Sequence, residues 1–96
     1  MLGRILIVDD DSDMRLVLRE HLKPEGFEVL NASNGAQMRA LIKQEEVDLV
    51  ILDLQLPDED GLNLVKVLRE KTDAGIVILS GKGTSVDMVE IGRAHV

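Results

Sequence analysis

The chain predicts an α/β fold with a parallel sheet, on three observations. Apolar runs recur at Ile5-Leu6-Ile7-Val8, Leu49-Val50-Ile51-Leu52 and Ile76-Val77-Ile78-Leu79. They are continuous rather than alternating, as strands covered on both faces require. The four strand starts, Ile5, Phe27, Leu49 and Ile76, lie 22, 22 and 27 residues apart. That is the length of a strand plus a crossover helix, so right-handed βαβ units are expected. The segments between them carry apolar residues at helical spacing.

Arg4 precedes the first run, which ends in Asp9-Asp10-Asp11 before Ser12-Asp13 opens a helix. Asp11 and Asp13 read as helix caps. Met14, Val17, Leu18 and Leu22 form one stripe on the sheet, and this helix ends before Pro24 and Gly26. His21 falls on its outer surface. Phe27 to Ala32 mixes polar and apolar positions, which suits an edge strand. Asn34, with Gln37 three residues later, reads as a capping pair for a helix presenting Met38, Leu41 and Ile42.

The run Leu49 to Leu52 then delivers a single acid, Asp53, from a central strand. Pro57 forbids continuing the ladder, and Asp60-Gly61 caps the start of a third helix. Asp58, Glu59 and Asp60 read as a solvated loop and a cap, and Gly61 as a requirement of backbone geometry. The third helix carries Leu62, Leu64, Val65, Val67 and Leu68 and closes in Arg69-Glu70-Lys71. The last run ends in a hydroxyl, Ser80, followed by Gly81-Lys82-Gly83 and a fourth helix expected from about Thr84 or Ser85. Glu90-Ile91-Gly92-Arg93-Ala94-His95-Val96 breaks that pattern and matches one translation frame of a common sequencing adapter. Residues 90–96 are therefore read as a non-native tail, and 1–89 as a single domain.

Composition narrows the function. At 96 residues one small core is the ceiling. The absence of cysteine excludes a disulfide framework and thiolate metal sites, leaving oxygen ligands for any metal. Acidic residues outnumber basic ones 18 to 11, for a net charge of −7, which disfavours nucleic acid or anionic membrane as a direct partner. Phe27 is the one aromatic among Phe, Trp and Tyr, so no stacking platform for bases exists. No apolar run reaches the ~20 residues of a membrane span.

Ligands of open parallel sheets sit outside the carboxyl ends of the strands, and every functional candidate lies there: Asp9 and Asp10 after the first strand, Asp53 after the third, Ser80 after the fourth. Three carboxylates in one crevice raise one another's pKa unless a cation compensates. Mg²⁺, held by one or two carboxylates plus phosphate oxygens, suits a site whose other partner is a phosphoryl group. One Asp is then free to attack phosphorus and form an aspartyl phosphate, with Ser80 donating to an equatorial oxygen.

Ile5 to Asp10 ending in Asp-Asp, the stretch from Asp53 through Pro57 to Gly61, and Ile76 to Gly81 together resemble the receiver domain of two-component response regulators. The match runs from residue 4 to about 89. The resemblance implies a flavodoxin-like doubly wound sheet of order 2-1-3-4-5. It implies that Asp53 is phosphorylated by a histidine kinase and that Asp10 and Asp53 ligate Mg²⁺ with the backbone carbonyl of Gln55. Asp9 would act largely through a bound water, and Ser80 would be the switch hydroxyl. It further implies a cytoplasmic phosphoprotein that catalyses only its own phosphotransfer and dephosphorylation, a homodimer when complete, and no membrane contact. The tract Ser80-Gly81-Lys82-Gly83 resembles the branch carrying a C-terminal winged-helix DNA-binding domain, implying transcription regulation.

The departure is at the C-terminal end. The family's fifth strand, ending in lysine before proline, and its fifth helix are expected to be missing, and Lys82, two residues past Ser80, does not replace that lysine. Ile76 to Leu79 is then expected to form an open apolar edge prone to aggregation. Two other classes compete. A haloacid-dehalogenase-like phosphatase resembles Asp-x-Asp at the end of its first strand, whereas this strand ends Asp9-Asp10 and Gln55 stands two after Asp53. A phosphorylation-independent interaction module lacks its acceptor or acid pair, and both are present here.

Overall fold

Continuous apolar runs need a layer on each side, and the molecule supplies both. The structure, a computed structural model, describes residues 2–57, 59–82 and 85–91, with residues 80–82 and 85–91 described by their backbone. The elements are β1 (Gly3–Val8), α1 (Ser12–Leu22), a short 3₁₀ turn (Lys23–Glu25), β2 (Phe27–Ala32), α2 (Gly35–Gln44), β3 (Leu49–Asp53), α3 (Gly61–Lys71), β4 (Gly75–Lys82) and β5 (Ser85–Ile91). The sheet order is β2-β1-β3-β4-β5. The first four strands are mutually parallel, with Ile7 opposite Ile51 and Asp53 opposite Leu79. As expected, β2 is an edge strand. No helix among the described residues is long and apolar enough to cross a membrane.

Alternate strand residues feed two core layers, one on each face of the sheet, rather than the single small core expected from the chain length. Leu6, Val8, Val50, Leu52, Ile76 and Ile78 pack with Met38 of α2 and with Leu64, Val65 and Leu68 of α3. Ile5, Ile7, Ile51 and Leu79 face the other way, onto Met14, Leu18 and Leu22 of α1. The sheet is thus doubly wound, with α1 on one face and α2 and α3 on the other.

Local capping follows the sequence closely. Asp11 is the N-cap of α1, and its side chain accepts the Asp13 and Met14 N–H groups. Asp60 caps α3 through the Leu62 N–H. Asn34 accepts the Gln37 N–H at 2.8 Å, while Gln37 reaches back to the N–H of Ser33 rather than of Asn34. Asp13 is not a cap but an acid in the first turn of α1, where it favours the helix dipole. Gly26 ends the 3₁₀ turn at φ +103°, a left-handed conformation that glycine adopts without strain.

Further expectations are corrected. Val17 leaves the α1 stripe and is half-exposed, and Leu62 is 61% exposed. Helical spacing marks a stripe, but the width of the sheet's contact decides which residues at its margin are covered. Gly61 is not needed for unusual dihedrals: a Cβ there would lie 2.6 Å from the Leu54 Cα, so a close backbone approach requires it. The expected fourth helix is instead β5, antiparallel to β4 with Ser80 opposite Asp87 and Ile76 opposite Ile91. Accordingly β4 is not an open edge, and the sheet has a fifth strand of reversed direction among the described residues. The physical reason is a row of unpaired backbone groups on β4, which a nearby segment rich in β-branched residues (Val86, Val89, Ile91) satisfies. Only Gly83 and Thr84 separate the two strands in sequence, and those two lie outside the described residues, as do 92–96 of the expected tail.

Candidate functional site

The chain runs outward from β1 to β2 on one side and from β3 to β4 on the other, so the winding reverses between β1 and β3. Such a reversal opens a crevice at the carboxyl ends of the two strands. Asp9 follows β1 and Asp53 ends β3, directly at this point. A cleft of about 510 Å³ opens there, lined by Asp9, Asp10, Asp11, Met14, Asp53, Gln55 and Leu79. Asp9, Asp10 and Asp53 each present a carboxylate oxygen, all within 4.8 Å of one another. A second cleft of about 520 Å³ lies at the amino ends of β3 and β4, where Glu45, Glu46, Asp48, Arg69 and Lys71 mix both signs of charge. Glu70 and Asp73 line it too, but among the described residues its acids do not converge as Asp9, Asp10 and Asp53 do.

The three carboxylates differ in setting. Asp9 is buried, Asp10 is exposed and Asp53 lies between. Burial comes first in pushing the Asp9 carboxyl up to about 6. The Asp11 N–H donates to Asp9 Oδ1 at 2.9 Å and opposes the shift. The charges of Asp53 and Asp10 raise it further. Mutual repulsion, expected from three neighbouring carboxylates, is thus outweighed by desolvation of one of them. Asp53 accepts the Gln55 N–H at 2.9 Å through Oδ1, which fixes its rotamer and brings the Gln55 backbone into the cleft. Ser80 follows Leu79, the register partner of Asp53, so the β4 backbone brings that residue to the same end of the sheet. Its side chain lies outside the description, as does all of Asp58.

Arg15 was not foreseen. From the first turn of α1 its Nη1 donates to the Asp9 carbonyl at 2.6 Å, tying the helix to the strand end. The available signal was a cation four residues after Asp11, where acids are usually favoured. His21 is exposed, with Nδ1 2.8 Å from the Val17 carbonyl, away from the cleft residues.

A cluster of oxygen donors, one of them holding its proton to about pH 6, fits a hard divalent ion that would displace the proton and compensate the charge. Metal-free protein should show the cost of the cluster directly. The folded Asp9 binds its proton up to about 6 against an ordinary value of 3.8, so between these limits the folded state holds more protons than the unfolded. Stability conferred by residue 9 should therefore fall as pH rises from about 4 to about 6 and level off above. Urea unfolding of the wild type and Asp9→Asn across this range measures it; a difference between the two that is independent of pH would contradict the burial of Asp9.

Comparison with known proteins agrees with this geometry. Residues 5–96 match the family model described as the response regulator receiver domain. The transcriptional regulatory protein AruR of Pseudomonas aeruginosa is 37% identical over 94 residues, covering 93% of this chain and 38% of that protein. The crystal structure of the response regulator TrrA from Thermotoga maritima, in complex with Mg²⁺ and BeF, is 39% identical with a TM-score of 0.72, covering 78% of this chain and 66% of that one. A Burkholderia pseudomallei response regulator crystallised with a phosphorylated aspartic acid and calcium is 28% identical with a TM-score of 0.80, covering 84% of this chain and 48% of that one. The chain spans less than two-fifths of the curated regulators AruR and TorR. With its parallel 2-1-3-4 strands and the acid triad at the winding reversal, the chain belongs to the response regulator receiver domain family.

Proposed function

We propose that Asp53 accepts a phosphoryl group from a sensor histidine kinase in the presence of Mg²⁺ and that the domain relays this as a conformational switch. The observation that carries the proposal is the convergence of Asp9, Asp10 and Asp53 within 4.8 Å at the winding reversal. An Asp53 carboxylate oxygen forms the new bond to phosphorus as the bond to the donor breaks, and the donor leaves with that electron pair. The Gln55 N–H on Oδ1 orients the nucleophile. Asp10, Asp53 and the Gln55 carbonyl would hold Mg²⁺, with Asp9 acting through water. When bound, the ion supplies charge neutralisation at the transferring group. Ser80 would donate a hydrogen bond to a phosphoryl oxygen. The reaction is the domain's own modification and its reversal, with no separate substrate turned over. Transcriptional regulators of the AruR kind suggest a DNA-binding output domain as the recipient of the switch, and a receiver homodimer belongs to the same proposal.

Incubation with acetyl phosphate, with and without Mg²⁺, followed by peptide mapping, tests this. An acid-stable phosphopeptide, or labelling that ignores Mg²⁺, would count against it. The roles of neighbouring acids separate in a calorimetric Mg²⁺ titration. Asp10→Asn is expected to weaken binding by more than about tenfold, since it removes a charged oxygen ligand. Asp11→Asn is expected to change it by less than about twofold, because Asp11 is engaged as a helix cap and Asn caps equally well. Equal losses would refute that division.

A further inference from the structure

Glu59 belongs to the loop between β3 and α3, where the sequence suggests only solvated charge. Its side chain is 20% exposed and held by a guanidinium fork. Arg39 Nη2 donates to Oε2 at 2.6 Å and Nη1 to Oε1 at 3.1 Å. Such bidentate charge-assisted pairs fix orientation as well as distance. Arg39 stands one turn into α2, four residues after Gly35, where α2 begins. A Cβ built on buried Gly35 would collide with Glu59 Oε1, so the carboxylate occupies the space a side chain there would fill. It lies over the first turn of α2, which favours negative charge. Arg39 in turn holds the Glu59 carboxyl below the usual range.

This loop is the one that leaves Asp53. Its first half is fixed by the Gln55 N–H on Asp53 and by Leu56 in the core. At its far end Glu59 is held by the fork to a different helix and Asp60 by the α3 cap. We propose that Arg39 and Glu59 are a positioning pair for the divalent-ion site, anchoring the loop to α2 so that the Gln55 backbone stays aimed into the cleft. The inference rests on the Mg²⁺ reading above. Neither side chain touches the ion; both act through Gln55.

The test is calorimetric Mg²⁺ titration of the 96-residue chain against Arg39→Gln, Glu59→Gln and their combination, at a temperature where each variant is folded by circular dichroism. Each single change is expected to weaken binding about three- to tenfold, below the ~10–100-fold typical of groups bonded directly to a ligand. The double variant should bind no more weakly than the worse single one, since one interaction is lost in all three. Gly35→Ala, which keeps both charges but displaces the Glu59 carboxylate, should reproduce the loss, and Arg39→Lys should recover part of it. Faster hydrogen exchange at the Gln55 amide in the metal-free variants should accompany the weaker binding. Binding within twofold of wild type in both single variants would overturn the inference, whatever their melting temperatures. A wild-type chain that binds no Mg²⁺ would instead overturn the metal reading beneath it, and the inference with it.

Discussion

Asp53→Asn is expected to abolish labelling by acetyl phosphate, lowering its rate on the order of 10³-fold or more, while leaving the fold intact. The amide oxygen can still accept the Gln55 N–H that holds Asp53 in place, so the rotamer and the loop survive. What disappears is the carboxylate proposed as the nucleophile. The substitution also removes one of the charges that raise the Asp9 carboxyl, so metal-free protein should melt no lower than wild type. Loss of label together with an unchanged or raised melting temperature is the expected result. An adduct persisting at wild-type level, on Asp10 or elsewhere, would show that the acceptor is misassigned.

Leu52→Ala is expected to be the most damaging of the single core truncations adjoining the site. Leu52 is fully buried and lies between Val8 of β1 and Ile78 of β4 in the register. Its side chain fills the core shared with α2 and α3. Such a change typically costs about 2–5 kcal/mol through lost transfer energy and the cavity left behind. A domain of this length has roughly 5–15 kcal/mol in total. A large share of the stability should therefore go, and because Asp53 is the next residue, labelling should fall with the folded fraction. Leu62→Ala is the control: at 61% exposure it should cost no more than about 0.5 kcal/mol. Comparable urea midpoints for the two variants would contradict the burial pattern.

Much of this protein was determined within short windows of sequence. The parallel strands were legible because a run such as Ile5 to Val8 can be buried on both faces only inside a sheet with helices on either side. The caps at Asp11, Asn34 and Asp60 were legible because a cap is completed within three residues. The meeting of Asp9, Asp10 and Asp53 followed from strand ends, since parallel strands in one sheet deliver their last residues to one side. The mate of β4 was not legible. Thr84 and Ser85 can cap a helix, and only the unsatisfied β4 edge decides for a strand at Ser85–Ile91. Nor were contacts between residues distant in sequence. Gly61 against Leu54 reads locally as a turn, Asp9 gives no sign of its greater burial over Asp10, and Arg39 and Glu59 stand 20 residues apart. Exposure of Val17 and Leu62 likewise depended on how each helix packs, which spacing alone does not set. Hydrophobic period and capping are properties of a few consecutive residues. Desolvation, close backbone approach and ion pairing between elements exist only once the layers have packed, and those are the terms that distinguish the three acids from one another.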